Sequence, residues 1–153
     1  MAKEIERKFL VNPSTIPFEG TGDELMQGYL SITESGLTRI RVTGKEGFLT
    51  IKSNTIGISR DEYEYAIPFD DAKRLIKLSQ GEIIHKTRTK VNYDGKIWVI
   101  DEFHGKNEGL WLAEIELATS NESFSKPEWV LEEVSEDERY FNSNLSMNPF
   151  CEW

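Results

Sequence analysis

Apolar and polar residues alternate with a period of two along most of the chain. Successive residues of a β-strand face opposite sides, so this alternation predicts half-buried strands. It runs near 3–11, 25–33, 37–44, 47–53, 59–67, 82–92, 96–104 and 110–118, which makes eight strands. Three connections carry turn chemistry, at Thr43-Gly44-Lys45-Glu46-Gly47, at Asp94-Gly95 and at His104-Gly105-Lys106-Asn107-Glu108-Gly109. They are short enough to join antiparallel neighbours, and a meander is the simplest topology. Two segments break the pattern. Ala72, Leu75 and Ile76 recur at helical spacing between Asp70, a capping type of residue, and Gly81, a terminating one, which predicts a helix over 71–78. A second helix is expected over about 135–145, with Glu136, Asp137 and Glu138 in a first turn that favours negative charge. The stretches 12–24 and 119–128, rich in Pro, Gly, Ser and Asn, read as loops inside one domain spanning 1–153. The class is mostly β, in the α+β sense, with peripheral helices.

The alternation also sorts the charges. Glu4, Glu6 and Lys8 share one face of their strand, opposite Ile5, Arg7 and Phe9. In the same way Arg39 goes with Arg41, Thr50 with Lys52, Arg60 with Glu62 and Glu64, Lys86 with Arg88, Asp101 with Val99 and Phe103, and Glu114 with Glu116. A sheet with one face in water also shows polar residues at alternate positions. It does not call for like charges two apart in strand after strand, which repel unless opposite charge lies between them. A ligand that is both polyanionic and metal-bound resolves the conflict. Carboxylates suit Mg²⁺ or Mn²⁺, and Arg and Lys suit phosphate oxygens. Eight antiparallel strands closed into a barrel would bring one face of every strand inside.

Composition narrows the partners. Lys and Arg number 18 against 27 Asp and Glu, a net charge of −9, which disfavours a nonspecific grip on nucleic acid or an anionic membrane. Any basic site must be local. The lone cysteine, Cys151, excludes an intramolecular disulfide framework and a cysteine-based zinc cage, and points to a reducing compartment. The N-terminal segment is charged where a signal peptide needs an apolar core, and no apolar run approaches the ~20 residues of a membrane span. A soluble cytoplasmic protein with neither nucleic-acid nor membrane partners is expected. Trp98, Trp111, Trp129, Phe48, Phe103 and Phe124 read as packing between barrel and helices rather than as a base-stacking platform. His85 faces away from Lys86 and reads as structural; His104 reads as a turn residue.

Nine short elements follow one another in order: Glu4-Ile5-Glu6-Arg7-Lys8-Phe9-Leu10, Gln27-Gly28-Tyr29-Leu30, Arg39-x-Arg41, Thr50-Ile51-Lys52, Ser59-Arg60-x-Glu62-Tyr63-Glu64, Lys86-Thr87-Arg88, Asp101, Glu114-x-Glu116, and Glu133-Val134-Ser135-x-Asp137-x-Arg139-Tyr140. With these elements the chain resembles the CYTH superfamily, the triphosphate tunnel metalloenzymes, over nearly its whole length and in the form of small bacterial inorganic triphosphatases. The resemblance implies an eight-stranded antiparallel closed β-barrel, a tunnel open at both ends that holds a triphosphate with Mg²⁺ or Mn²⁺. By position, Glu4, Glu6, Asp101, Glu114 and Glu116 match metal-side carboxylates. Lys8, Arg39, Arg41, Lys52, Arg60, Lys86 and Arg88 match phosphate-side cations. Glu62 and Glu64 resemble a further acidic pair that binds metal, positions water or balances Arg60. Tyr29 resembles a tyrosine that works with the lysine matching Lys52, which makes these two the catalytic candidates.

The activity this implies is metal-dependent hydrolysis of a triphosphate. Inorganic tripolyphosphate comes first, because the chain shows no second module to grip a nucleoside. The alternatives are a class IV-type adenylate cyclase, a thiamine or nucleoside triphosphatase, and a noncatalytic polyphosphate-binding module. All five metal-side carboxylates are present, which favours an enzyme. The assembly is expected to be a monomer or a homodimer.

Overall fold

The structure, a computed structural model, describes residues 2–16 and 22–153; residue 1 and the segment 17–21 of the first expected loop lie outside the described residues. The strands are β1 (Ala2–Val11), β2 (Asp23–Thr33), β3 (Gly36–Val42), β4 (Gly47–Ser53), β5 (Ser59–Ile67), β6 (Gln80–Tyr93), β7 (Lys96–Phe103), β8 (Trp111–Glu116) and β9 (Val130–Glu133). Two α-helices, α1 (Phe69–Leu75) and α2 (Asn142–Met147), accompany them.

The sheet runs β5-β4-β3-β2-β6-β7-β8-β1 and closes on itself where β1 also pairs with β5. This is the expected closed antiparallel barrel of eight strands, but it is not one meander. β2 to β5 form one meander and β6 to β8 another; β2 joins β6 on one side, and β1 is inserted between β8 and β5 on the other. Charge complementarity accompanies the insertion. The register sets Glu4 opposite Arg60 of β5 and Lys8 opposite Glu114 of β8. Closure also removes the unpaired edges that an open sheet would expose.

β9 is a ninth strand that the alternation did not reveal. It pairs with β1 at Phe9↔Glu133 and Val11↔Val130, on the side that β5 occupies only as far as Ile5. The acidic stretch 128–138 is therefore partly strand. The second helix starts later than expected. The Asp137 side chain accepts from the Arg139 backbone N–H and caps a single 3₁₀ turn at Glu138–Tyr140, and Phe141 is extended, so α2 begins only at Asn142. α1 begins after Pro68, whose fixed φ suits helix entry, with Asp70 and Asp71 inside its first turn; it ends in a 3₁₀ turn at Ile76–Leu78.

Two apolar clusters cover the outside of the barrel. Phe9, Trp98, Ile100, Ala113, Ile115 and Trp129 pack with Phe124 over β1, β7 and β8; Trp98, Trp129 and Phe124 are packing residues as expected, but they join the barrel to the segment 117–130 rather than to a helix. Ile40, Ala72 and Ile76 pack between the sheet and α1. Gly28 makes the second contact possible, since a Cβ there would lie 1.8 Å from Ser79 Oγ. A third cluster, of Tyr29, Ile84, Phe103, Leu110, Leu112 and Leu145, sits inside. Ile84 precedes Lys86 by two residues, Phe103 follows Asp101 by two, and Leu112 precedes Glu114 by two, so all three share the inward face of the charges. The interior is thus divided along its axis. One part is charged, and the other is filled by apolar side chains completed by Leu145 of α2. A tunnel open at both ends was implied; here the apolar end needs cover from water, and α2 supplies it.

Candidate active site

The inward charges line one cavity of about 410 Å³. On its acidic side, β1 and β8 place Glu6 directly opposite Glu116. Glu4 is held by cations: Lys52 Nζ lies 3.1 Å from each of its oxygens and Arg60 Nε 2.9 Å from one. Burial alone would raise the Glu4 carboxyl, but Lys52 and Arg60 hold it well below the usual carboxylate range. Glu6 has no ion-pair partner within 4.0 Å among the described residues. Burial, followed by the charges of Glu114 and Glu4, pushes it up to about 8. Burial and Glu4 also raise Glu116. Glu114 goes the other way, since Lys8 and Arg88 outweigh its burial. Lys8 Nζ stands 3.7 Å from Glu114 and donates to the Tyr140 carbonyl at 3.2 Å.

The opposite wall is basic. Arg39 and Arg41 come from β3, and Lys86 and Arg88 from β6. Arg39 Nη2 donates to Thr50 Oγ1 at 3.2 Å and lies 3.5 Å from Glu64, while its Nε is buried without an acceptor. Burial and the neighbouring Arg39 and Arg88 lower Arg41 to about 9. Burial lowers Lys86 to about 7, against the pull of Asp101. These guanidinium and ammonium groups crowd one another, and an anion entering the cavity would relieve them. Lys52 joins the two walls, with Glu62 at 3.0 Å on its other flank. Glu62 is raised by burial and by its hydrogen bond to Glu4.

Asp101 stands apart from the other expected metal carboxylates. It is 1% exposed and does not line the cavity. One oxygen takes Lys86 Nζ at 2.9 Å, and Arg88 grips both through Nε at 2.8 Å and Nη2 at 2.9 Å. Its position in the structure is that of a counter-ion behind the basic wall. Among the lining residues with no assigned role from the sequence are Lys90, two residues on from Arg88, and the uncharged Gln27 and Asn142. Gln27 shares the face of Tyr29 two residues on, a signal that was available. Asn142 reaches the cavity only because α2 starts where it does. His85 and His104 lie together outside the charged set, ring centroids 4.8 Å apart, with Thr87 Oγ1 2.7 Å from His104 Nε2.

Among the described residues, no three His, Cys, Asp or Glu side chains converge closely enough to cage a cation alone. The donors nevertheless suit a hard divalent ion. Glu6 and Glu116 set two carboxyl groups directly opposite each other, and ions of the Mg²⁺ type take one or two carboxylates and complete their shell with water and substrate phosphate. The unfolded Glu6 ionises near 4.5, whereas the folded one keeps its proton to about 8, so stability of the metal-free protein should fall as pH rises across that window. Glu6→Gln should flatten the fall, as read from melting temperatures in chelator across the range.

No helix among the described residues is long and apolar enough to cross a membrane. The CYTH domain family matches residues 2–146. An inorganic triphosphatase of Acetivibrio thermocellus is 44% identical over 151 residues, covering 98% of this chain and 97% of the relative. One of Nitrosomonas europaea is 39% identical over 150 residues, covering 95% and 97%. A crystal structure of an inorganic triphosphatase is similar with a TM-score of 0.69 and 37% identity, over 96% of each chain.

Proposed function

The chain belongs to the CYTH family, and from that membership we propose that it hydrolyses inorganic tripolyphosphate to pyrophosphate and phosphate with a divalent cation. The observation that carries the reading is the pairing of a crowded basic wall, with the unsatisfied Arg39 Nε in it, and a carboxylate wall inside one cavity. The phosphate chain lies against Arg39, Arg41, Lys86 and Arg88, and its oxygens give Arg39 Nε the acceptor it lacks. Glu6 and Glu116, with Glu114 beside them, are the residues that would hold Mg²⁺ or Mn²⁺, which supplies charge neutralisation on the phosphate when bound.

Water attacks the terminal phosphorus, the bridging P–O bond breaks, and pyrophosphate departs with the bonding electrons. The water's proton passes to a carboxylate on the Glu62 and Glu64 side of the cavity. Tyr29 and Lys52 serve the attack, Lys52 being oriented by Glu4 and Glu62. No covalent nucleophile is required. Trp98, Trp129 and Phe124 lie outside the barrel, so they offer no shelf for a nucleobase, and a bare phosphate chain suits the cavity better than ATP. The single cysteine, exposed and unpaired, supports a reducing compartment, the cytoplasm.

The test is a panel of tripolyphosphate, ATP and thiamine triphosphate with phosphate release and cyclic AMP both measured. Tripolyphosphate should exceed ATP in kcat/KM by about tenfold or more, a difference of ~1.4 kcal/mol in transition-state binding. Removing the nucleoside removes a cyclase's nucleophile. Cyclic AMP forming from ATP faster than phosphate leaves tripolyphosphate would therefore sink the triphosphatase reading.

A further inference from the structure

Gln27 is 1% exposed, inside the barrel and two residues from Tyr29 on β2. Its Oε1 accepts from Arg41 Nε at 3.2 Å and from Arg41 Nη2 at 3.1 Å. A guanidinium has only donors, so this contact fixes which way round the amide sits. The NH₂ end must then face away from Arg41, and there it donates to Tyr29 Oη at 3.2 Å and to Asn142 Oδ1 at 3.0 Å. Asn142 Oδ1 also accepts from Lys86 Nζ at 2.8 Å, so both cations at the ends of the chain impose one orientation. Both amide hydrogens are in use. The Tyr29 oxygen is left as the acceptor of its contact with Gln27, and no described residue accepts the phenol's own hydrogen. Tyr29 itself lines the cavity.

We propose that Gln27 is a positioning residue that fixes the hydrogen-bond polarity of Tyr29, so that the phenol presents its hydrogen to the phosphate chain. The proposal rests on the tripolyphosphatase reading and extends it. A hydroxyl whose oxygen already accepts from an amide is polarised toward donation, and its remaining direction is set in advance of binding. The same amide ties Arg41 to the phenol, so that the group gripping phosphate and the group donating to it keep one spacing. α2 enters this arrangement through Asn142, which takes the second amide hydrogen, so that the Gln27 oxygen and both its amide hydrogens are engaged.

The experiment is a double-mutant cycle on kcat for tripolyphosphate, with Tyr29→Phe, Gln27→Met and the double variant, and melting temperatures as the control for folding. Tyr29→Phe should lower kcat about a hundredfold, the scale of one lost donor at a developing charge. Gln27→Met should lower it about tenfold, with a smaller change in KM. The double variant should be no slower in kcat than Tyr29→Phe, because Gln27 acts on the attack step through the phenol, while its hold on Arg41 bears on binding and is read in KM. Losses that multiply, or a Tyr29→Phe variant with wild-type kcat, would overturn the proposal. Gln27→Glu carries the cycle if the methionine variant does not fold. It keeps the shape and grips Arg41, but it only accepts and draws the phenol hydrogen away from the cavity, so undiminished kcat there would also overturn it. A wild-type protein that releases no phosphate from tripolyphosphate would instead bring down the functional reading, and this proposal with it.

Discussion

Asp101→Ala is expected to destabilise the metal-free protein by about 3–5 kcal/mol, a fall of roughly 6–20 °C in melting temperature. The side chain answers Lys86 and Arg88 at once; Lys86 and Asp101 are fully buried, and Arg88 is exposed only where it meets the cavity. Removing it leaves two cations facing Arg41 with only the more distant Glu114 as counter-charge. Lys86, already lowered to about 7 by burial, can shed its proton and recover part of the loss, which holds the effect to that range. Burial would raise the Asp101 carboxyl, but Arg88 and Lys86 hold it well below its ordinary value. Its contribution is therefore full above the unfolded pKa and fades as pH falls toward the folded one. Added tripolyphosphate should restore some of the lost stability by taking up the wall's free donors. If Asp101 were instead a metal ligand, the metal-free melt of Asp101→Ala would match the wild type, and only the response to metal would change.

Chelation of divalent cations should reduce tripolyphosphate turnover by about a thousandfold or more, with Mg²⁺ or Mn²⁺ restoring it. A Lewis acid on phosphoryl oxygens supplies several kcal/mol of charge stabilisation, and each 1.36 kcal/mol is tenfold in rate. The carboxylates themselves give a second readout. Metal should raise the melting temperature of the wild type but raise that of Glu6→Gln much less, because Glu6 must release its proton, held to about 8, before it can ligate. Metal affinity should accordingly strengthen as pH rises to about 8. Full turnover in chelated buffer would remove the metal from the reaction and leave the acidic wall without a role.

The inward set of charges was legible because a period of two assigns faces without reference to which strands are neighbours. Glu4 and Glu6, Arg39 and Arg41, and Lys86 and Arg88 could be placed together before any pairing was known. Neighbour choice was not legible. β1 meets β8 and β9 across most of the chain length, and no local pattern encodes that distance. β9 escaped because Val130–Glu133 is only four residues long and half acidic, too short for periodicity to outweigh charge. Asp101 shows the limit of face assignment. Its face followed from its neighbours, but its direction on that face was set by the register that puts it opposite Arg88. Gln27 and Asn142 carry no charge, so they raised no electrostatic conflict for a ligand to resolve.

The division of β1's outer side between β5 and β9 also bears on how the chain reaches this structure. As the polypeptide leaves the ribosome, the first half of β1 can find β5 once residues 59–62 have emerged. The second half, with Phe9 at the centre of an aromatic cluster, waits for 112–116 and 130–133. Until then it presents bare backbone amides and carbonyls beside a large apolar ring, a template for pairing with another nascent chain. Long-range closure of this kind slows folding relative to a true meander, so the rate at which the last fifty or so residues arrive, more than the rate of forming any hairpin, sets how long the protein remains vulnerable to aggregation.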